Sequence, residues 1–169
     1  MIPEAYISIG SNIGDRRAQI ERAVTALSCL AEAPVRLSSV LETPPWGFDG
    51  GCDFLNICMA LPVSIPPQEL IGRLLAVQNE IDSSPHRNTD GSYADRRIDI
   101  DLIAVGSCVV STPELILPHP RMHLREFVLI PLAEIAPGWV HPVLSLTPAE
   151  MLAAISSENC KFAQRKNCK

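Results

Sequence analysis

The chain has 169 residues, 47% of them hydrophobic and 20% charged, which is enough apolar side chain for one compact domain with its own core. A net charge of −5 argues against broad binding to nucleic acid or an anionic membrane, and no apolar run approaches the roughly 20 residues of a membrane span. The first residues, Met1-Ile2-Pro3-Glu4-Ala5, lack the basic and apolar regions of a secretory leader, so a cytoplasmic protein is expected. All ten Lys and Arg residues before position 161 are arginine, which excludes a P-loop lysine and Schiff-base chemistry in that part of the chain. Six cysteines without a CxxC or Cys/His cluster suggest neither zinc nor disulfides; they read as reduced thiols, several of them buried.

Ala5 to Gly10 reads as a first strand, ending at Gly10-Ser11-Asn12. From Asp15 to Glu32, Ile20, Val24, Leu27 and Leu30 recur at helical spacing, and Pro34 stops the pattern. Val35 to Leu41 predicts a second strand. Segment 43–51, Thr-Pro-Pro-Trp-Gly-Phe-Asp-Gly-Gly, predicts a loop, because its prolines lack donors and its glycines are conformationally free. Phe54 to Leu61 predicts a third strand. Pro66-Pro67-Gln68-Glu69 opens a second helix with a buried stripe of Leu70, Leu74, Val77 and Ile81 and with Glu80 on its flank.

Residues 83–95 form a second polar loop, Arg97 to Val105 a strand, and Cys108 to Val110 a short return. Leu117-Pro118-His119-Pro120 is a rigid turn, Phe127 to Ile135 a helix, and Thr147-Pro148-Ala149-Glu150 the start of a last short helix. Residues 1–155 make a single domain, and the polar tail 156–169 is expected to fray. The order strand, helix, strand, strand, helix, strand is the βαββαβ pattern of ferredoxin-like α+β folds. Helices would cover one face of a mainly antiparallel sheet and additional C-terminal helices the other, giving three αβα layers. That fold hosts regulators, RNA binders and enzymes, so it does not decide function.

The sharpest chemical signal is Arg96-Arg97-Ile98-Asp99-Ile100-Asp101-Leu102. On a strand Asp99 and Asp101 point to one face, about 6 to 7 Å apart at a rise of roughly 3.3 Å per residue, while Ile98, Ile100 and Leu102 point to the core. Such a pair can hold magnesium, which keeps waters and takes phosphate oxygens as its other ligands. Taken alone, an amphipathic strand with one wet face explains the alternation equally well. Around the pair lie His86, Arg87, Arg96, Arg97, His119, Arg121, His123 and Arg125, and arginine's planar fork suits phosphate. Phe54 and Asn56 share a strand face, Trp46 lies in the proline-rich loop, and Phe127 follows the arginines. Two rings with a nearby amide suit a flat heteroaromatic ligand, although ordinary core packing accounts for each phenylalanine separately.

These segments together resemble the 6-hydroxymethyl-7,8-dihydropterin pyrophosphokinase family of folate biosynthesis, along nearly the whole chain to about residue 155. The motifs that carry the resemblance are residues 5–12, Thr43-Pro44-Pro45-Trp46-Gly47, Phe54-Leu55-Asn56, residues 96–102, Leu117-Pro118-His119-Pro120-Arg121-Met122 and residues 125–132. The resemblance implies transfer of pyrophosphate from ATP to the pterin hydroxymethyl group, with AMP released. It makes Asp99 and Asp101 ligands of two magnesium ions and gives Arg87, Arg96, His119 and Arg125 phosphate contacts. Glu80 would lie near the ATP ribose, and Phe54 and Phe127 would sandwich the pterin beside Thr43, Pro44, Trp46 and Asn56. Tyr93 would lie over the ring, and loops 44–53 and 83–95 would close over both substrates. A monomer, or alternatively a dimer, is expected, with no nucleic-acid or membrane partner. Two departures stand out: Ser84-Pro85-His86-Arg87 replaces a Gly-Arg-x-Arg pattern, and Tyr93-Ala94-Asp95-Arg96 replaces Trp-Gly-Pro-Arg. A ligand-binding module that has lost the chemistry is the alternative.

Overall fold

The computed structural model describes residues 2–45, 52–83 and 95–166, the side chains of 158–166 excepted. Strand β1 (Glu4–Ser11) lies between β4 (Phe54–Pro62) and β5 (Asp99–Val105), antiparallel to both, while β2 (Arg36–Leu37) and β3 (Leu41–Thr43) pair with the other edge of β4. The order β2-β4-β1-β5 is that of the ferredoxin-like sheet. Helices α1 (Arg16–Ser28) and α2 (Pro67–Ile81) cover one face; α3 (Glu126–Ile135) and α4 (Pro148–Lys166) cover part of the other. Strands β6 (Val110–Ser111) and β7 (Ile116–Leu117) form a separate ladder, followed by a 3₁₀ turn at Met122–Leu124.

Side-chain parity sorts the two cores. Ile7, Ile9, Leu55, Ile57, Met59, Leu61, Ile100 and Leu102 point toward Leu27, Leu70 and Leu74 of α1 and α2. Tyr6, Cys58, Ala60, Ile103 and Ala104 point toward Val128, Leu129, Leu132 and Met151. Ile103 and Ala104 are consecutive yet share a core, because β5 carries a bulge: Ile7 faces Leu102 and Tyr6 faces Ala104, which leaves Ile103 unopposed. A bulge bends a strand and re-aims its groups, and here it lies two residues beyond Asp101. Helix α1 starts where the Asp15 carboxylate accepts from the Ala18 N–H at 3.1 Å, and α2 starts with Pro67 in its first turn.

Several sequence expectations change. The strand predicted over 35–41 is broken into β2 and β3 at Ser38 and Ser39. Ser38 N–H donates to the Cys58 carbonyl at 3.0 Å, and its hydroxyl, not its carbonyl, takes the Cys58 N–H at 2.9 Å, so the side chain replaces one rung of the ladder. Strand β3 then extends to Thr43, which was expected in a loop. The last helix is long, continuing to Lys166 in place of a frayed tail after Ile155. Of the four cysteines described, Cys58 alone is buried, and burial pushes its thiol up to about 12.

Ser38→Ala removes the acceptor of the buried Cys58 N–H and should cost about 1–3 kcal/mol by urea unfolding, the penalty of a buried unsatisfied donor. A loss no larger than about 0.5 kcal/mol would show that water reaches this rung.

Candidate active site

The sheet register assembles the site. Asp99 faces Gly10 and Asp101 faces Ser8 across β5 and β1; Gly10 and Ser8 in turn face Asn56 and Cys58 of β4. Opposed residues share a face, so Asp99, Asp101, Asn56 and Phe54 all stand on the α3 side of the sheet. The apolar core under α3 and α4 ends at Cys58 and Ile103, and this polar row continues the same face beyond it. The two aspartates do point the same way, with side chains 29% and 36% exposed, while Ile98, Ile100 and Leu102 are buried on the opposite face.

Each carboxylate faces a buried arginine. Arg96 Nη1 lies 2.9 Å from Asp99 Oδ1, and Arg125 Nη1 lies 3.4 Å from Asp101 Oδ2. Arg125 enters from the N-terminus of α3, where its carbonyl caps Val128 and Leu129, and its guanidinium lies 5.6 Å from the centre of the Phe127 ring. His119 is tied to β5 by its own backbone: its N–H donates to the carbonyl of the bulged Ile103 at 2.7 Å. Its Nδ1 accepts the Arg121 N–H at 3.1 Å, so the neutral ring carries its proton on Nε2 and offers a donor. Burial first, then the charges of Arg125 and Arg121, pull His119 down to about 4.

Of the other predicted site residues, Asn56 is buried and donates from Nδ2 to Thr43 Oγ1 at 2.9 Å, Phe54 and Phe127 are half-buried on the same side of the sheet, and Pro44 is exposed just beyond β3. Glu80 is not brought to this group. It is exposed and lines a groove between α1 and α2 with Glu21, Arg22 and Thr25. Gln78 of α2 does reach β5, its Oε1 accepting the Ile100 N–H at 2.7 Å, and Asp82, which follows α2, accepts the N–H of Arg97 just before β5 at 2.9 Å. His123 lies near the buried His141 instead, and its charge helps to lower the pKa of that ring after burial. Trp46, Arg87 and Tyr93 lie outside the described residues.

Sequence reasoning missed Asn12 as a functional residue. It is 1% exposed; its Oδ1 accepts the Arg96 N–H at 2.8 Å and its own N–H donates to the Arg96 carbonyl at 3.2 Å. Its Nδ2 donates to the Cys52 carbonyl at 3.2 Å and to Asp95 Oδ1 at 2.6 Å, so one amide fastens Arg96 beside the start of β4. Asp95, which stands where the family pattern has proline, is thus engaged by Asn12. The available signal was an Asn directly after a strand, where a short amide side chain satisfies loop backbone.

The donor set fits magnesium on stated terms. Among the described residues no three His, Cys, Asp or Glu side chains cluster, and a cation held by Asp99 and Asp101 would suit magnesium, which keeps waters and takes phosphate oxygens as further ligands. An α+β fold that gathers paired carboxylates and arginines on one face has the groups that phosphoryl transfer uses. The sequence profile of the 7,8-dihydro-6-hydroxymethylpterin-pyrophosphokinase (HPPK) family matches residues 6–137. A 2-amino-4-hydroxy-6-hydroxymethyldihydropteridine pyrophosphokinase of Porphyromonas gingivalis is 40% identical over 138 residues, covering 81% of this chain and 92% of that protein. Its counterpart from Bacillus subtilis is 39% identical over 132 residues, covering 78% and 77%. In fold, the chain superposes on a Plasmodium falciparum HPPK-DHPS structure with a TM-score of 0.70 at 12% identity, covering 98% of this chain and 44% of that one. The chain therefore spans less than half of that solved chain. The chain belongs to the 7,8-dihydro-6-hydroxymethylpterin-pyrophosphokinase family of diphosphotransferases. Among the described residues no helix is long and apolar enough to cross a membrane.

An ordinary histidine takes its proton near 6.5, whereas His119 resists protonation down to about 4. Between those values the unfolded chain binds a proton that the folded chain does not, so stability falls as pH is lowered from 6.5 to 4. In protein free of metal and nucleotide, His119→Gln should flatten that fall in urea midpoint; an unchanged slope would place the titration elsewhere.

Proposed function

We propose that this face carries out pyrophosphoryl transfer from ATP to the hydroxymethyl oxygen of 6-hydroxymethyl-7,8-dihydropterin, with AMP as the leaving group. The observation that carries the reading is the pairing of Asp99 with Arg96 and of Asp101 with Arg125, in one row with Asn56 and Phe54. Asp99 and Asp101 would hold magnesium, two ions per site, whose charge when bound offsets that of the triphosphate. Cation binding to the carboxylates would compete with the arginines, and the forks of Arg96 and Arg125 suit phosphate oxygens. His119, neutral with its proton on Nε2, adds a hydrogen-bond donor without further charge. The hydroxymethyl oxygen attacks the β-phosphorus, loses its proton, and the bond from that phosphorus to the AMP oxygen breaks in line.

Phe54 and Phe127 supply rings for the pterin faces, and Asn56 with Thr43 and Pro44 meets its edge. Trp46, Arg87 and Tyr93 complete the assignment from the segments 44–53 and 83–95. Glu80, which faces α1, is the weakest member of the ATP set. The protein is read as a single domain over residues 1–155, cytoplasmic, and acting as a monomer or a dimer on small molecules alone.

Incubation with ATP, magnesium and the hydroxymethyldihydropterin should release AMP and not ADP, and omission of the pterin should abolish that release. Asp99→Asn and Asp101→Asn should each lower turnover by at least about a hundredfold, since metal contacts supply several kcal/mol to the transition state. ADP formation, or full activity in either variant, would reject the assignment. Tight binding of both substrates without turnover would favour a module that has lost its chemistry.

A further inference from the structure

Gly10 is a glycine for space and not for backbone conformation. Among the described residues the glycines with positive φ are Gly14 and Gly106, so the extended backbone at Gly10 would accept any residue. It lies between Asn56 on one side and Asp99 on the other. A Cβ at this position would come within 2.8 Å of Asn56 Oδ1 and 3.5 Å of Phe54 Cδ1. The amide has little room to retreat, because Asn56 is 3% exposed and its Nδ2 is held by Thr43 Oγ1 at 2.9 Å. Its oxygen therefore lies across the bare backbone of β1, toward the strand that carries Asp99.

The geometry points to Gly10 as a positioning residue for substrate recognition: its missing Cβ, together with the Thr43 hydroxyl, fixes the Asn56 amide with its acceptor oxygen over β1, facing a ring N–H donor of the bound heterocycle. This rests on the function proposed above, to which the Asn56 contact with the ring edge belongs, and adds Gly10 as the residue that orients that amide. Gly10 makes no polar contact of its own. An added methyl group would turn the amide away or tilt it, and a ring lacking the donor would gain nothing from the native orientation.

The test measures 6-hydroxymethyl-7,8-dihydropterin affinity by calorimetry in the presence of magnesium and a non-hydrolysable ATP analogue, and follows the Asn56 side-chain amide by ¹H–¹⁵N spectroscopy without ligand. Gly10→Ala should weaken pterin binding about tenfold, the worth of one misplaced hydrogen bond, and shift the amide resonance, while analogue affinity stays within about twofold. Gly10→Ala combined with Asn56→Ala should bind no more weakly than Asn56→Ala alone, as expected when one residue acts through the other. Thr43→Val, which leaves β1 intact, should reproduce the loss, and Thr43→Ser should restore binding. An unshifted amide, additive losses, or a Thr43→Val protein with native affinity would overturn the inference. Turnover by the unaltered protein tests the reaction separately, and the ligand-free amide shift needs no substrate, so the two failures are distinguishable.

Discussion

Burying the guanidiniums of Arg96 and Arg125, 8% and 6% exposed, requires opposing charge close by, and Asp99 and Asp101 supply it from one strand. That requirement organises the site. Two negative charges placed two residues apart on a bare strand would repel each other and favour a different register; with one arginine each, the row is close to neutral. Such neutrality leaves both partners exchangeable, because each carboxylate is suited to a hard cation and each guanidinium to a phosphate. A site of this kind needs no P-loop lysine, in keeping with a sequence that has no lysine before residue 161.

The surrounding structure holds that row in place. Strand β5 is an edge of the sheet, and an unpaired edge is free to move or to pair with other chains. Gln78 takes the Ile100 N–H, Asp82 takes the Arg97 N–H, and His119 donates to the Ile103 carbonyl, so three side-chain or loop contacts replace a missing neighbouring strand. The bulge at Ile103 brings the turn 117–120 against β5 just beyond Asp101, which sets His119 beside the charged pairs. At the other end Asn12 secures both the N–H and the carbonyl of Arg96. Strand, helix and turn therefore converge on a stretch of eight residues, 96–103.

Much of this was legible in the sequence, where periodicity is strong. Apolar alternation at Ile98, Ile100 and Leu102 placed both aspartates on one face, and the helical stripes located α1 and α2. The order of elements specified the ferredoxin-like sheet, and motifs spread along the chain specified the family. What escaped was decided by individual hydrogen bonds that no periodicity encodes. The break at Ser38 depends on a hydroxyl acting as a ladder acceptor, and the bulge at Ile103 on a backbone register. Gln78 is a polar residue inside a stripe that reads as apolar, while Glu80, one of two acidic residues near that end of α2, faces α1. A glycine or asparagine after a strand reads as turn chemistry, so the spatial role of Gly10 and the fastening role of Asn12 became visible once β4 and β5 were seen beside them.

Exchange of arginine for metal at the carboxylates is the centre of the mechanism proposed above, and nucleotide binding reports on it directly. Calorimetry of a non-hydrolysable ATP analogue, with magnesium and with chelator, should show strong magnesium dependence in the unaltered protein. In Asp101→Asn, where the carboxylate beside Arg125 is neutral, the analogue should bind more tightly than before in chelator and gain little from magnesium. Equal magnesium dependence in the two proteins, with metal-free affinity unchanged, would contradict the exchange.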